Sequence, residues 1–138
     1  MNLKPASLLP KGFPAFLAVG GIGFVVDAGI LALLVHGYGW GDYSARGISF
    51  AIAVTVTWYL NRRFVFSAGR TGNRRSEYTR YLGVQGTGMA INFLVYSLCI
   101  ATNETMDTWP VLALAVGSAV ALLFNYAGSR IFVFTGKP

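Results

Sequence analysis

The sequence is short of charged residues, of cysteine and of histidine. Only 12% of its 138 residues are charged, against about 25% in a typical soluble domain, and the mean hydropathy is +0.55. The single cysteine, Cys99, excludes a disulfide within the chain, and one histidine, His36, leaves no Ser/His/Asp or Cys/His set. The composition excludes a disordered chain and an ordinary soluble enzyme. We therefore expect no catalytic residues, no metal site and no cofactor.

Apolar residues make up 54% of the chain and are concentrated in four runs. A 21-residue helix is about 31 Å long, which is enough to cross the hydrocarbon core of a bilayer. The second run is short, and we expect its helix to begin near Tyr43, with Arg46 directed outward, and to continue past Asn61. The sequence predicts an all-α integral membrane protein with four transmembrane helices, because helices satisfy their own backbone in lipid. The runs are residues 13–35, 47–61, 81–101 and 109–129.

Basic residues outnumber acidic ones, 11 to five, and they are unevenly distributed. All of them except Arg46 lie in the N-terminal arm, in the loop after the second run or in the C-terminal tail. Positive residues favour the cytoplasmic side, so both termini and the central loop are predicted to be cytoplasmic. Because topology accounts for the net charge of +6, we predict no nucleic-acid partner. The cytoplasmic basic residues are Lys4, Lys11, Arg62, Arg63, Arg70, Arg74, Arg75, Arg80, Arg130 and Lys137.

The two halves of the chain match each other. Residues 16–27 align with 81–92, and residues 58–67 align with 126–135. Each half then forms a helical hairpin that ends in Arg-x-Phe-Val-Phe, and a two-span unit returns to its starting side, so the repeat is parallel. Some transporters use such a plan, whereas duplication of a stable hairpin without transport is the alternative. We predict one membrane domain over residues 1–138, with repeat 1 at about 13–67, a cytoplasmic loop at about 68–79 and repeat 2 at about 80–135.

Four segments carry a resemblance to a known family. In their order and spacing, over about residues 13–135, the sequence resembles the GtrA-like family of small four-span bacterial membrane proteins of polysaccharide synthesis. One departure is that the family's Asn-x-x-x-Asn-Arg motif keeps a single Asn in each copy, Asn61 in the first and Asn125 in the second. The segments are FLAVGGIGFVVDAGILALL at 16–34, WYLNRRFVFS at 58–67, RYLGVQGTG at 80–88 and FNYAGSRIFVFT at 124–135.

The resemblance implies movement of a polyprenyl-phosphate-linked sugar to the outer leaflet of the bacterial cytoplasmic (inner) membrane. An integral-membrane glycosyltransferase would use the sugar there for cell-surface polysaccharide synthesis or glycosylation. Four helices hardly enclose a sugar, so a lipid-open groove or a homodimer is expected rather than a closed channel. Two alternatives remain: a non-transporting membrane partner of a glycosyltransferase, and a small multidrug-type proton antiporter.

Two polar residues at matching positions of the halves are candidates for sugar binding. Asp27 lies about 21 Å into its helix, where an acid costs about 2.5–3.5 kcal/mol to insert, so it is expected to face an interior or a wet cavity. There it would bind sugar hydroxyls or a proton, or lock helices together through a hydrogen bond. Asn92 would bind hydroxyls without a charge, or join helices as membrane asparagines do.

A second set of candidates lies at the predicted cytoplasmic ends. The guanidinium group matches phosphate oxygens bidentately, so Arg62, Arg63 and Arg130 are candidates for the lipid phosphate, with topology anchoring as the alternative. Asn61 and Asn125 lie within one or two turns of these arginines, each in an i, i+4 pair with a hydroxyl residue. Membrane lipids are expected to contact the remaining loop arginines.

Glycines in the early turns of the first and third runs are predicted to pack helices closely. The Phe-Val-Phe segments are predicted to anchor the chain at the interface. The glycines are Gly20, Gly21, Gly23, Gly83, Gly86 and Gly88.

Overall fold

A computed structural model describes residues 12–137, and this part of the chain contains helices and no strand. The all-α prediction is confirmed there, whereas Lys4 and Lys11 lie outside the described residues. Three helices continue into a five-residue π-helix. The α-helices are α1 (Phe13–Ala32), α2 (Asp42–Leu60), α3 (Arg74–Thr102), α4 (Glu104–Thr108) and α5 (Pro110–Gly128). The π-helices are Leu33–Gly37 after α1, Asn61–Val65 after α2 and Ser129–Val133 after α5, and a short 3-10 turn spans Ser67–Gly69.

The chain divides into two compact units, Met1–Ser67 and Ala68–Pro138, hereafter the first and the second unit. In the first unit, α1 packs against α2. In the second unit, α3 packs against α5, and the short α4 lies between them in sequence and contacts both. Each unit is therefore a helical hairpin.

Local sequence signals explain where the helices begin. The side chain of Asn73 caps α3 by accepting a hydrogen bond from the Ser76 amide at 3.1 Å. Asn103 caps α4 in the same way through the Met106 amide. A proline stands in the first turn of α1 and of α5, where a missing N–H costs nothing. As a result, α3 begins at Arg74, inside the segment 68–79 that was predicted to be loop.

Within residues 12–137, three helices are long and apolar enough to cross a membrane: Phe13–Gly37, Arg74–Thr102 and Pro110–Val133, of 25, 29 and 24 residues. The helix over 42–65 begins beside the predicted Tyr43 and continues past Asn61, as expected. It does not reach the same apolarity because it carries Arg46 near one end and two arginines near the other. The fourth span therefore stays a prediction.

Small residues line the helix contact inside each unit. On α2 and on α5 they follow one another at every fourth position, so each set forms a single stripe on one helix face. All are buried, and small side chains let two helix backbones approach closely. The stripes are Ala45, Ser49 and Ala53 on α2, and Ala113, Gly117 and Ala121 on α5.

An aromatic pair closes one end of each hairpin. Phe16 meets Phe66 edge-on with ring centroids 6.1 Å apart, and Tyr81 meets Phe134 at 6.3 Å. The prediction that Phe-Val-Phe anchors the interface was therefore wrong for the last phenylalanine of each segment, which packs inside its own unit. The first of each, Phe64 or Phe132, is exposed.

Candidate functional site

The first unit contains a charged pair between its two helices. Nη1 of Arg46 on α2 donates a hydrogen bond to Oδ2 of Asp27 on α1. The side chain of Asp27 is 17% exposed and that of Arg46 is 54% exposed. The second carboxylate oxygen, Oδ1, is buried and accepts no hydrogen bond within the described part of the chain. Asp27 thus has a positive partner that sequence reasoning missed. The available signal was that α1 holds one charged residue and that α2 holds one basic residue near its start.

A groove of about 560 Å³ lies beside this pair in the first unit. Its walls are mostly apolar, and its polar groups come from the ends of both helices. Asp42 lines the groove and Asp27 pairs with its one arginine, so the groove does not favour an anion. The residues that define it are Leu31, Val35, His36, Asp42, Tyr43 and Arg46.

Asn92 serves as a contact between the helices of the second unit. Its Nδ2 donates to Ser118 Oγ on α5 at 3.5 Å. A side chain at Gly117 would overlap the backbone oxygen of Asn92, at 2.8 Å from the new Cβ. In this geometry Asn92 joins the two helices, and a sugar hydroxyl would have to replace its contact with Ser118.

Asn61 and Asn125 face the interiors of their own units. Asn61 is 1% exposed at the start of its π-helix. Asn125 Nδ2 donates to Gln85 Oε1 at 3.4 Å, and its side chain fills the space left by Gly88. Thr57 fills the space beside Gly23 in the same manner. Gly23 and Gly88 pack closely as predicted, whereas a Cβ on any of the other four glycines would meet nothing within 4 Å.

The three predicted phosphate-binding arginines lie in the π-helices. Arg62 is half-buried, whereas Arg63 and Arg130 are exposed. The guanidinium carbon of Arg63 lies 5.6 Å from the centre of the Phe64 ring. Arg62 follows Arg46 by 16 residues, or about 24 Å along the helix, so Asp27 and Arg62 belong to opposite ends of the first hairpin. The predicted site residues are therefore not brought together at one place.

A second groove, of about 580 Å³, lies in the second unit and was not predicted. It contains one arginine, Arg80, together with two threonine hydroxyls, and its other walls are apolar. Sequence reasoning assigned Arg80 to topology alone, because nothing in the sequence shows that the C-terminal tail lies beside it. The groove is hereafter the Arg80 groove, defined by Arg80, Thr87, Phe124, Ile131, Phe132 and Thr135.

The polar groups of these sites are suited to binding a ligand. Within residues 12–137 no three His, Cys, Asp or Glu side chains are grouped so that they could hold a metal ion. Arginine donors, amides and hydroxyls are present, and these recognise phosphate and sugar hydroxyl groups.

Comparison with known families shows to which family the chain belongs. A sequence model described as GtrA/DPMS, transmembrane domain, matches residues 15–134. The chain belongs to this family. The GtrA/DPMS match and the three apolar helices together establish a multi-pass membrane protein.

Two relatives of this GtrA/DPMS protein carry the same name, bactoprenol-linked glucose translocase. The one from Salmonella phage P22 is 29% identical over 124 residues, which are 90% of this chain and 95% of the relative. The one from Shigella phage SfX is 23% identical over the same length and coverage. The similarity thus extends over almost the whole of each relative.

Proposed function

We propose that the protein translocates a polyprenyl-phosphate-linked sugar across the bacterial cytoplasmic membrane for cell-surface polysaccharide synthesis or glycosylation. The observation that carries this proposal is the similarity to two proteins named bactoprenol-linked glucose translocase, which extends over 95% of each. Bactoprenol is a polyprenol, so a sugar lipid of this class fits the names. An integral-membrane glycosyltransferase would consume the sugar at the outer face.

The proposed topology has four spans, arranged as two parallel hairpins with cytoplasmic termini. Corresponding contacts in the two units support the duplication: the Phe16–Phe66 pair corresponds to Tyr81–Phe134 in the predicted alignment. All basic residues except Arg46 lie in the N-terminal arm, the central segment or the C-terminal tail, and this supports the orientation. In this topology, the helix over 42–65 crosses the membrane with Arg46 near the outer side.

The proposed phosphate ligands are Arg62, Arg63 and Arg130. Each stands at the predicted cytoplasmic end of its hairpin, after a helix whose dipole favours a cation there. Arg63 and Arg130 are exposed, so both can reach a headgroup without a change in the fold. A guanidinium group binds two phosphate oxygens at once, which a lysine cannot do.

The proposed sugar ligands are Asp27, Asn61, Asn92 and Asn125. Asn61 is buried and the other three make contacts within their own hairpin, so a sugar has to displace contacts that the unit already makes. Their part in the proposal is to exchange contacts inside the unit for contacts with sugar hydroxyls. In a homodimer, the sugar could instead be shielded from lipid between two copies of the protein.

The ion pair argues against a multidrug-type antiporter. Such a transporter needs a membrane carboxylate that exchanges a proton for a cationic substrate. In the first unit, the carboxylate of Asp27 already has a cation, Arg46, within hydrogen-bond distance. A second positive group would have to displace an arginine that is fixed to the protein.

The test is translocation by the purified protein in vesicles that contain a short-chain polyprenyl-phosphate glucose. Protein that translocates exposes the inner-leaflet pool to an impermeant oxidant of the sugar, and we expect Arg130→Lys to slow this by about tenfold because the bidentate contact is lost. Arg75→Lys, an exposed arginine on α3, is the matched control and should be silent. If protein-containing vesicles behave like empty ones, the non-transporting partner is correct. If translocation proceeds and Lys is tolerated at Arg62 and at Arg130, these residues only anchor the topology.

A further inference from the structure

The Arg80 groove is formed by both long helices of the second hairpin, near the start of α3 and the end of α5. Arg80 and Thr87 stand two helical turns apart on α3, about 10.5 Å along the axis. The opposite wall is formed by Phe124 on α5 and by Ile131 and Phe132 in the following π-helix. A polar edge and an apolar floor therefore lie in one cavity of about 580 Å³.

Arg80 has charge and donors available at the edge of the groove. Its Nε donates to the Ser76 carbonyl at 3.4 Å and its Nη1 donates to Thr135 Oγ1 at 3.5 Å, both long contacts. It forms no salt bridge with any residue in 12–137. The acid nearest to it in sequence, Glu77, is fully buried and accepts hydrogen bonds from the amide and hydroxyl of Thr71. The edge of the groove is therefore positively charged.

The two threonines of the groove offer different hydrogen-bonding groups. Thr135 accepts from Arg80, so its own O–H remains able to donate to an anion. Thr87 donates its hydrogen to the Gly83 carbonyl at 2.8 Å, so its oxygen offers only lone pairs, which accept from the hydroxyls of a sugar. Arg80 and Thr135 thus suit a phosphate, and Thr87, deeper along α3, suits the group attached to it.

The apolar wall suits a hydrocarbon chain. Ile131 is 62% exposed and Phe132 is 60% exposed, and Phe124 also lines the groove. A ligand that complements all these groups has a negative phosphate for Arg80 and Thr135. It also has an uncharged polar group for Thr87 and an apolar chain for the apolar wall. At the position that matches Arg80 in the first unit, the predicted alignment has Ala15, so the first unit offers no second copy of this edge.

We propose that the Arg80 groove is the loading site of the lipid carrier, with Arg80 and Thr135 binding the phosphate of a prenyl phosphate and Ile131 and Phe132 contacting its first isoprenoid units. This rests on the proposed function, since a prenyl-phosphate sugar is its substrate. It adds a specific groove and, beside Arg62, Arg63 and Arg130, a fourth arginine as a ligand of the lipid carrier. The occupant is a prenyl phosphate rather than a bulk anionic phospholipid, because its phosphate and its single hydrocarbon chain match one open groove in which the charged edge adjoins the apolar wall.

The experiment measures equilibrium binding of radiolabelled farnesyl phosphate to the purified protein in phosphatidylcholine nanodiscs. We expect Arg80→Gln to weaken binding about tenfold or more, because a charge-assisted hydrogen bond to phosphate is lost. Arg75→Gln removes the same charge from an exposed position of α3 outside the groove and should bind as the parent does. Farnesol, inorganic phosphate and phosphatidylglycerol serve as competitors, and only farnesyl phosphate itself should displace the label efficiently.

A groove-filling variant keeps the test independent of charge. Gly83 lines the groove, and a Cβ there meets no atom within 4 Å, so Gly83→Leu directs a side chain into the groove from an unobstructed position. Gly86→Leu is the matched control, because its Cβ is equally unobstructed and it lies outside the lining. We expect Gly83→Leu, and not Gly86→Leu, to abolish farnesyl phosphate binding at unchanged thermal stability.

Two outcomes overturn the inference. If Arg80→Gln and Gly83→Leu bind the probe as their controls do, the groove is not the site. If phosphatidylglycerol competes as well as farnesyl phosphate, the groove binds bulk lipid. Failure of the proposed function is separate: vesicles with the parent protein would then show no translocation of prenyl-phosphate glucose, whatever the nanodisc measurement gives.

Discussion

The two hairpins satisfy a polar residue at the same position in different ways. In the first unit, Asp27 meets an arginine from the facing helix. In the second, Asn92 stands at the matching position and meets the hydroxyl of Ser118 at 3.5 Å. A buried carboxylate needs an opposite charge, whereas a buried amide needs only a hydrogen bond. The contact between the helices therefore depends on an ion pair in the first hairpin and on close packing in the second.

The facing stripes show the same contrast. Ser49 of the first unit is fully buried and donates to the Arg46 carbonyl at 3.1 Å. The matching residue of the second unit is Gly117, and Asn92 occupies the space where a side chain would be. The second hairpin thus has less room between its helices at this level than a serine requires.

Among the substitutions considered, placing at each stripe position the residue of the other stripe should change the free energy of unfolding most. We expect Gly117→Ser to lower the free energy of unfolding by about 3 kcal/mol, the upper part of the range for overpacking, because one of the two obstructing atoms of Asn92 is a backbone oxygen that cannot rotate away. Unfolding in mixed micelles of increasing denaturing detergent measures this. Ser49→Gly is the reciprocal control and should cost only about 1 kcal/mol, as glycine does in a helix. If both substitutions lowered the free energy of unfolding equally, the two hairpins would not differ in the space between their helices.

Removal of the arginine of the charged pair should give an intermediate effect. We expect Arg46→Gln to cost roughly 1–2 kcal/mol, more than an exposed pair and less than a fully buried one, since Arg46 is 54% exposed. The double variant Asp27→Asn/Arg46→Gln should recover most of this stability, because the second unit already shows that an Asn is accommodated. A double variant as unstable as Arg46→Gln would mean that the side chain of Arg46 stabilises by packing rather than by charge.

The amide contact of the second unit should give the smallest effect. Interhelical hydrogen bonds in membranes average about 0.6 kcal/mol, and the Asn92–Ser118 contact is long, so we expect a coupling of about 0.5 kcal/mol or less between Asn92→Ala and Ser118→Ala. A double-mutant cycle in the same detergent assay gives this value. A coupling above about 1.5 kcal/mol would make the two hairpins energetically alike.

Much of the helical architecture follows from sequence periodicity and composition. The long apolar runs predict α1, α3 and α5, and the asparagine caps and prolines mark several of their starts. The stripe on α5 is visible in the sequence as three small residues at four-residue spacing. These features are local, so a single stretch of chain determines them.

The contacts across each hairpin could not be predicted. Asp27 and Arg46 are 19 residues apart, and whether they meet depends on how α1 and α2 are aligned across the turn. The change from α- to π-helix at Asn61 alters which side chains share a face, so Phe66 is buried where an interfacial anchor was expected. Arg80 resembles the other loop arginines in sequence, and only the position of the tail near Thr135 distinguishes it.

The small-residue stripes also limit how these hairpins can change over evolutionary time. The two helices of each hairpin approach closely because the side chains along the stripe are small. The stripe positions are Ala45, Ser49 and Ala53 in the first unit, and Ala113, Gly117 and Ala121 in the second. Sequence drift along the stripes is therefore confined to exchanges among the smallest residues, and at Gly117 even these are blocked by the facing backbone. Outward positions of the same helices carry no such limit, since one apolar residue there replaces another without disturbing a contact inside the unit. Divergence of the sequence should consequently be greatest on the faces directed away from the hairpin and least along two narrow lines within it.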